Sequence, residues 1–186
     1  MIIRPGILKT STPKARFVKV INGGAVVLPF AAVPLASVGV QPNGKGTYIF
    51  TVVIAALATG MAQVLLHIDA GSTANRYLLQ AAAASTIYQL SRNLASVGAT
   101  TNGGNLTAGV EMSLGVTLDG LGNAVATLNG AATITVAGGP TSGLTTLRAG
   151  SGPSGTNPTG GVMTNLWVIP GVVLSASALQ AAVVAM

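Results

Sequence analysis

This chain of 186 residues has a poor inventory for acid–base and metal chemistry: three side-chain carboxylates, one histidine and no cysteine. His67 and Asp69 are the one pair that spacing brings together. Residues i and i+2 of a strand point to the same face, so the carboxylate can orient the imidazole or share a metal with it. Catalysis would need a further group within hydrogen-bond reach, a nucleophile or an oxyanion donor, and spacing indicates neither beside the pair. Zinc needs Cys/His clusters, and calcium needs several oxygen ligands. Asp69, Glu111 and Asp119 lie far apart in the chain. The pair therefore reads as a structural or surface pair on a sheet, and the chain as a non-enzyme with no metal and no cofactor. The Gly-rich stretches 102–105 and 150–161 contain no Lys and lack the spacing of a phosphate loop leading into a helix.

The elements that would position these residues are strands. In Val110-Glu111-Met112-Ser113-Leu114-Gly115-Val116-Thr117-Leu118 the even-numbered residues are apolar, the period of a half-buried strand. Asn129-Gly130 separates 124–128 from 131–136, and both central residues of a type I′ turn need positive φ, so a hairpin is predicted there. Further expectations are a hairpin over 17–30 turning at Asn22-Gly23-Gly24, and a looped or edge segment over 29–46. A strand over 47–57 is expected to pair with 61–69, and 77–82 with 86–94. The stretch 102–105 reads as a loop, 144–148 and 162–169 as strands, and 150–161 as a loop. Ser175 or Ser177 is expected to cap a short helix reaching about Val184. Ile49 to Leu66 is long enough and uncharged enough for a membrane span. Its Thr59-Gly60 break and β-branched first half favour buried strands, so no membrane is expected. The N-terminus does not read as a signal peptide.

Charge is scarce and uneven. Charged residues are 6% of the chain and hydrophobic ones 49%, with 25 glycines. A free-standing domain usually shows a surface roughly 25–35% charged, so this surface is expected to be covered by partners. Five of the nine basic residues fall within the first nineteen: Arg4, Lys9, Lys14, Arg16 and Lys19. With Pro5 and Pro13 among them, residues 1–16 read as an extended basic arm for an acidic protein surface, ahead of a domain over 17–186. Phe17 is the arm region's one aromatic, which leaves no stacking platform for nucleic acid.

Several of these pieces, taken in order, resemble a known family. Phe50-Thr51-Val52 and the run from His67 to Tyr77 are followed by Thr127-Leu128-Asn129-Gly130. Then come Gly143-Leu144-Thr145-Thr146-Leu147-Arg148-Ala149-Gly150, Met163-Thr164-Asn165-Leu166-Trp167-Val168, and a closing Leu174-Ser175-Ala176-Ser177-Ala178-Leu179-Gln180-Ala181. Over roughly residues 48–186 this resembles the concanavalin A-like, laminin-G-type jelly-roll module of tailed-bacteriophage structural proteins. The resemblance implies an all-β, antiparallel jelly-roll β-sandwich with a short C-terminal helix, here following an extended N-terminal arm. It also implies a virion location, and a role for Arg148 in holding a sheet edge or a neighbouring subunit. The expected function is a non-enzymatic virion structural protein: a capsid decoration or cement protein, or a head-fibre base, attached through the arm. Its expected partners are further copies of itself, most simply as a trimer, and a capsid or other virion protein. The alternative is a short tail-fibre or receptor-binding protein that recognises host glycans. A sugar site would combine an aromatic platform from Trp167, Tyr77 or Tyr88 with Asn75, Arg76 or Asn165. Against this, Trp167 sits in an alternating strand and reads as core or interface filler.

Overall fold

The computed structural model describes residues 16–83, 85–94, 97–139 and 142–186. Their strands are β1 (Val18–Leu28), β2 (Phe30–Pro34), β3 (Gly46–Ile54), β4 (Gln63–Asp69), β5 (Arg76–Ala81) and β6 (Ile87–Leu94). They continue with β7 (Val97–Asn105), β8 (Glu111–Leu118), β9 (Ala124–Leu128), β10 (Ile134–Val136), β11 (Thr146–Ala149) and β12 (Gly161–Pro170), and α1 (Ala176–Val184) follows. The strands form two six-stranded antiparallel sheets, ordered β1-β12-β3-β8-β9-β10 and β2-β11-β4-β5-β6-β7. Their inner faces interdigitate in one core that includes Tyr48, Phe50, Leu66, Ile68, Tyr77, Leu79, Leu90, Leu114 and Leu166. The expected all-β jelly-roll sandwich with a short C-terminal helix is therefore the fold.

Period-two alternation decides which residues enter that core. In β8, Met112, Leu114, Val116 and Leu118 point inward, while Val110 falls just before the strand and is exposed. The opposite face of β8 is covered at Gly115 and Thr117 and open at Glu111. Helix α1 lies on it, and Leu179 and Val183 form a second small core with Ile49. Gly115 makes this approach possible: a Cβ there would stand 2.6 Å from Val183 Cγ2 and 2.8 Å from Leu179 Cδ1. Of the two candidate caps, Ser175 is the one used, its Oγ accepting from the Ala178 N–H at 3.3 Å.

Several local expectations are corrected. Asn22-Gly23-Gly24 does not turn a hairpin. β1 continues to Leu28 along β12, with a register irregularity between Asn22 and Val26. Both apolar runs find their partner in β12, so the extra residues are absorbed as a bulge. β3 and β4 are not partners either. β3 lies between β12 and β8, and β4 between β11 and β5, in the other sheet. β4 is buried throughout and β3 nearly so, and a strand buried on both faces takes a central place that a simple hairpin cannot provide. Residues 102–105 are strand, not loop: they end β7, the edge strand beside β6. Gly103 is needed there because a Cβ would run into the Tyr88 ring. At Asn129-Gly130 both φ angles are positive, 50° and 71°, as a type I′ turn requires. β10 nevertheless resumes only at Ile134, opposite Ala126.

Gly115→Val is expected to push α1 off the first sheet and to lower unfolding stability by about 1–3 kcal/mol, the usual cost of overpacking. Chemical denaturation checks the size of the loss. Unchanged stability would mean that the helix is not packed as described.

Candidate functional site

The outward face of the second sheet gathers polar side chains from β11, β4, β5, β6 and β7. Register places them in rows. One row runs Thr146, Asp69, Arg76, Asn93, Gly98, and the next runs Arg148, His67, Leu78, Ser91, Thr100. In a third row Gln80, Gln89 and Asn102 lie side by side on β5, β6 and β7. The third row is joined by its own hydrogen bonds: Gln80 Nε2 donates to Gln89 Oε1 at 3.0 Å, and Gln89 Nε2 donates to Asn102 Oδ1 at 2.9 Å. In the second row the Ser91 and Thr100 hydroxyls are 3.0 Å apart. Gly98 keeps the first row open at its end, since a Cβ there would stand 2.7 Å from Asn93 Oδ1.

At the β4 side the face becomes charged. Asp69 is fully buried and accepts from Gly71 N–H at 2.6 Å and from Arg148 Nε at 2.8 Å. His67, also fully buried, holds Nδ1 3.2 Å from the same carboxylate, close in distance but too oblique for a good hydrogen bond. The loop after β11 shields the imidazole: Gly152 lies against it, and the loop backbone pairs with the start of β4 through Val64 N–H to Asn157 O and Gly150 N–H to Leu65 O. Burial alone would raise the Asp69 pKa. The contacts with His67 and Arg148 and the Gly71 N–H outweigh it and hold the carboxyl below its ordinary value. Arg76, directly opposite Asp69 in register, is shifted the other way. Its desolvation exceeds the favourable pull of Asp69 and lowers its pKa. Among the described residues, no third His, Asp or Glu joins His67 and Asp69 in a metal-holding group.

The spacing argument for His67 and Asp69 is met: they share a face and touch. The proposed sugar residues are not brought together. Tyr77 and Tyr88 are in the core, turned away from this face. Trp167 and Asn165 alternate with the inward Leu166 and Val168, so they lie on the outer face of the other sheet, the far side of the sandwich from Arg76. Trp167 is half-buried there, edge-on to Phe17 at 6.3 Å, with Lys19 Nζ 5.2 Å from its ring centre. Asn75 precedes β5, and only Arg76 of the set stands within the polar rows. Of the arm residues, Arg4, Lys9 and Lys14 lie outside the described residues. Arg16 is exposed, and Lys19 belongs to β1 opposite Trp167, not to an arm. The amide row and the Ser91–Thr100 pair were missed by sequence reasoning. The outward parity of Gln80, Gln89 and Ser91 was available in two strands already expected to pair, but Asn102 was hidden in a stretch expected to be a loop.

No protein-family model matches the chain, and no curated protein matches it. Solved structures do resemble it. The CBM40 module of a Ruminococcus gnavus IT-sialidase, solved with alpha2,6 sialyllactose, is 16% identical, with a TM-score of 0.66 over 89% of this chain and 98% of that one. Domain 4 of a GH43 extracellular arabinanase from Geobacillus stearothermophilus, solved with arabinotriose, is 16% identical, with a TM-score of 0.62 over 88% of this chain and 74% of that one. The botulinum neurotoxin serotype G binding domain is 8% identical, with a TM-score of 0.61 over 92% and 47%. At these identities the shared property is the jelly-roll β-sandwich.

Because Asp69 is held below its unfolded value of about 3.9, the stability it confers is complete above that pH and is lost as pH falls through its folded value. Asp69→Asn is expected to remove most of this acid-side loss and to cost about 3 kcal/mol at neutral pH, since it strands the partly buried Arg148 guanidinium without its counter-charge. Urea denaturation across the acid range measures both effects. Asp119, whose pKa is lowered by backbone and Asn123 hydrogen bonds that outweigh its slight burial, leaves a smaller residual slope.

Proposed function

We propose that this chain is a non-catalytic glycan-binding module and that an oligosaccharide lies across the polar outer face of the second sheet. The observation that carries the reading is the row Gln80–Gln89–Asn102, joined by hydrogen bonds across three strands and flanked by the Ser91–Thr100 hydroxyl pair. Carboxamides and hydroxyls both donate and accept, as sugar hydroxyls do, and strand spacing repeats them about every 4.8 Å. Two of the similar sandwiches were solved with bound oligosaccharides, sialyllactose and arabinotriose, which supports the reading. The non-catalytic part rests on His67 and Asp69: both are buried, and Asp69 is taken up by Arg148 and Gly71.

A second reading, compatible with the first, is a structural subunit of a bacteriophage virion that assembles as a homo-oligomer and docks on a capsid or other virion protein. It is favoured by the scarcity of charge and by the outer face of the first sheet. There Val27 is 72% exposed and Phe17 56%, in line with the half-buried Val53, Val162 and Trp167. A glycan-recognising virion component would use both faces.

Glycan-array screening of the full chain is expected to give binding to a subset of oligosaccharides. Gln89→Ala should weaken that binding about tenfold by removing the bridging amide, and should leave the melting temperature nearly unchanged. Retention of full affinity in that variant would move the site off this face. Light scattering addresses assembly: a trimer or other stable oligomer is expected, and a soluble monomer at high concentration would remove the support for the virion reading.

A further inference from the structure

We infer that the ligand of this face carries an anionic substituent, a carboxylate or a sulfate ester on a sugar, seated against Arg76; this rests on the glycan-binding reading above. The argument is one of unmatched charge. Arg148 and His67 both approach one carboxylate, Asp69, and Arg76 stands opposite it in register. Arg148 and the Gly71 N–H engage its two oxygens, and His67 crowds the same side. Among the described residues, Arg76 makes no ion pair with Asp69 although it stands opposite it in register. Its Nε is shielded from solvent with no hydrogen-bond partner. Arg76 is thus a guanidinium partly stripped of water without a full counter-charge, as the direction of its pKa shift also reports.

Among the described residues, no other side-chain carboxylate is placed to pair with it. Only three carboxylates exist. Glu111 is exposed on β8 in the other sheet, and Asp119 is tied to its own loop through Leu121 and Asn123. A planar oxyanion from outside is the group that a guanidinium edge binds best. Asn93, beside Arg76 in register, adds an amide to the same end of the face.

The arrangement also gives the ligand a direction. The end of the face around Asp69, Arg148 and Arg76 carries two guanidiniums to one carboxylate, and the third row, Gln80–Gln89–Asn102, is neutral. They are four residues apart along β5, about 13 Å at the usual strand rise. An anionic sugar at Arg76, followed by one or two neutral sugars over the hydroxyl pair and the amide row, spans that distance.

The test uses calorimetric titration of the full chain with four probes: 3′-sialyllactose, its methyl ester, lactose, and lactose 3′-sulfate. At least one of the two charged probes is expected to bind about tenfold or more tightly than lactose and the methyl ester. Which of them does so separates carboxylate from sulfate. The preference should shrink with added salt. Arg76→Gln should abolish the preference and keep the affinity for lactose. Asn93→Asp, which supplies a counter-charge beside Arg76 and leaves the arginine in place, should also weaken the charged probes selectively. Equal binding of charged and neutral probes, or a preference that survives Arg76→Gln, would overturn the inference and leave the glycan reading standing. Failure of all four probes together with a blank glycan array would overturn both.

Discussion

Asp69 is the residue on which the functional face depends. It ends β4, a central strand, and its carboxylate is buried where β4 meets β11 on one side and β5 on the other. Its Oδ1 accepts from Gly71 and so shapes the turn that delivers Arg76 to β5. Its Oδ2 holds Arg148 of β11, and its backbone carbonyl accepts from Thr145 N–H at the approach to that strand. Without the carboxylate, the Arg148 guanidinium would lose its ion pair and Arg76 the one carboxylate opposite it in register. A buried ion pair is weak evidence for net stability, but it fixes which groups stand where.

The two outer faces of the sandwich meet different demands. The first sheet carries an apolar patch outside at Val27, Val53, Val162 and Trp167, and α1 covers another part of it over Ile49 and Gly115. The second sheet carries amides and hydroxyls in place of charges. Hydration that Lys and Glu supply on most domains is supplied there by Gln80, Gln89, Asn93, Thr100 and Asn102. This is how a chain with 6% charged residues can present a wet face without a dense charge pattern. It also accounts for the weight of so few ions: where charge is this scarce, each partly buried arginine has few carboxylates to pair with.

Much of the fold was legible because alternation and turn chemistry are local. The inward set of β8, the positive φ at Asn129-Gly130, the β5–β6 pair and the Ser175 cap all follow from residues within a few positions of one another. The misreadings share one cause, which is that pairing is not local. Asn22-Gly23-Gly24 has turn composition, yet its flanks both pair with β12, some 140 residues away. β3 and β4 are neighbours in sequence and members of different sheets. Residues 102–105 look like a loop until the partner strand and the Tyr88 ring above Gly103 are in place.

The site was obscured for a different reason, one that parity could have exposed. Arg76 and Tyr77 are adjacent in an extended strand, so they cannot present their side chains to the same face. Choosing the aromatic as platform and the arginine as its hydrogen-bonding companion joined two faces that the pleat separates. Once Tyr77 is assigned to the core with Leu79 and Ala81, the outward residues of β5 must be Arg76, Leu78 and Gln80. The register of β6 then sets Asn93, Ser91 and Gln89 beside them. The polar face follows from that single choice of parity, extended strand by strand. What the chain alone does not contain is the order of the strands, and that order is what places Arg148, 79 residues downstream of Asp69, next to His67 and Asp69.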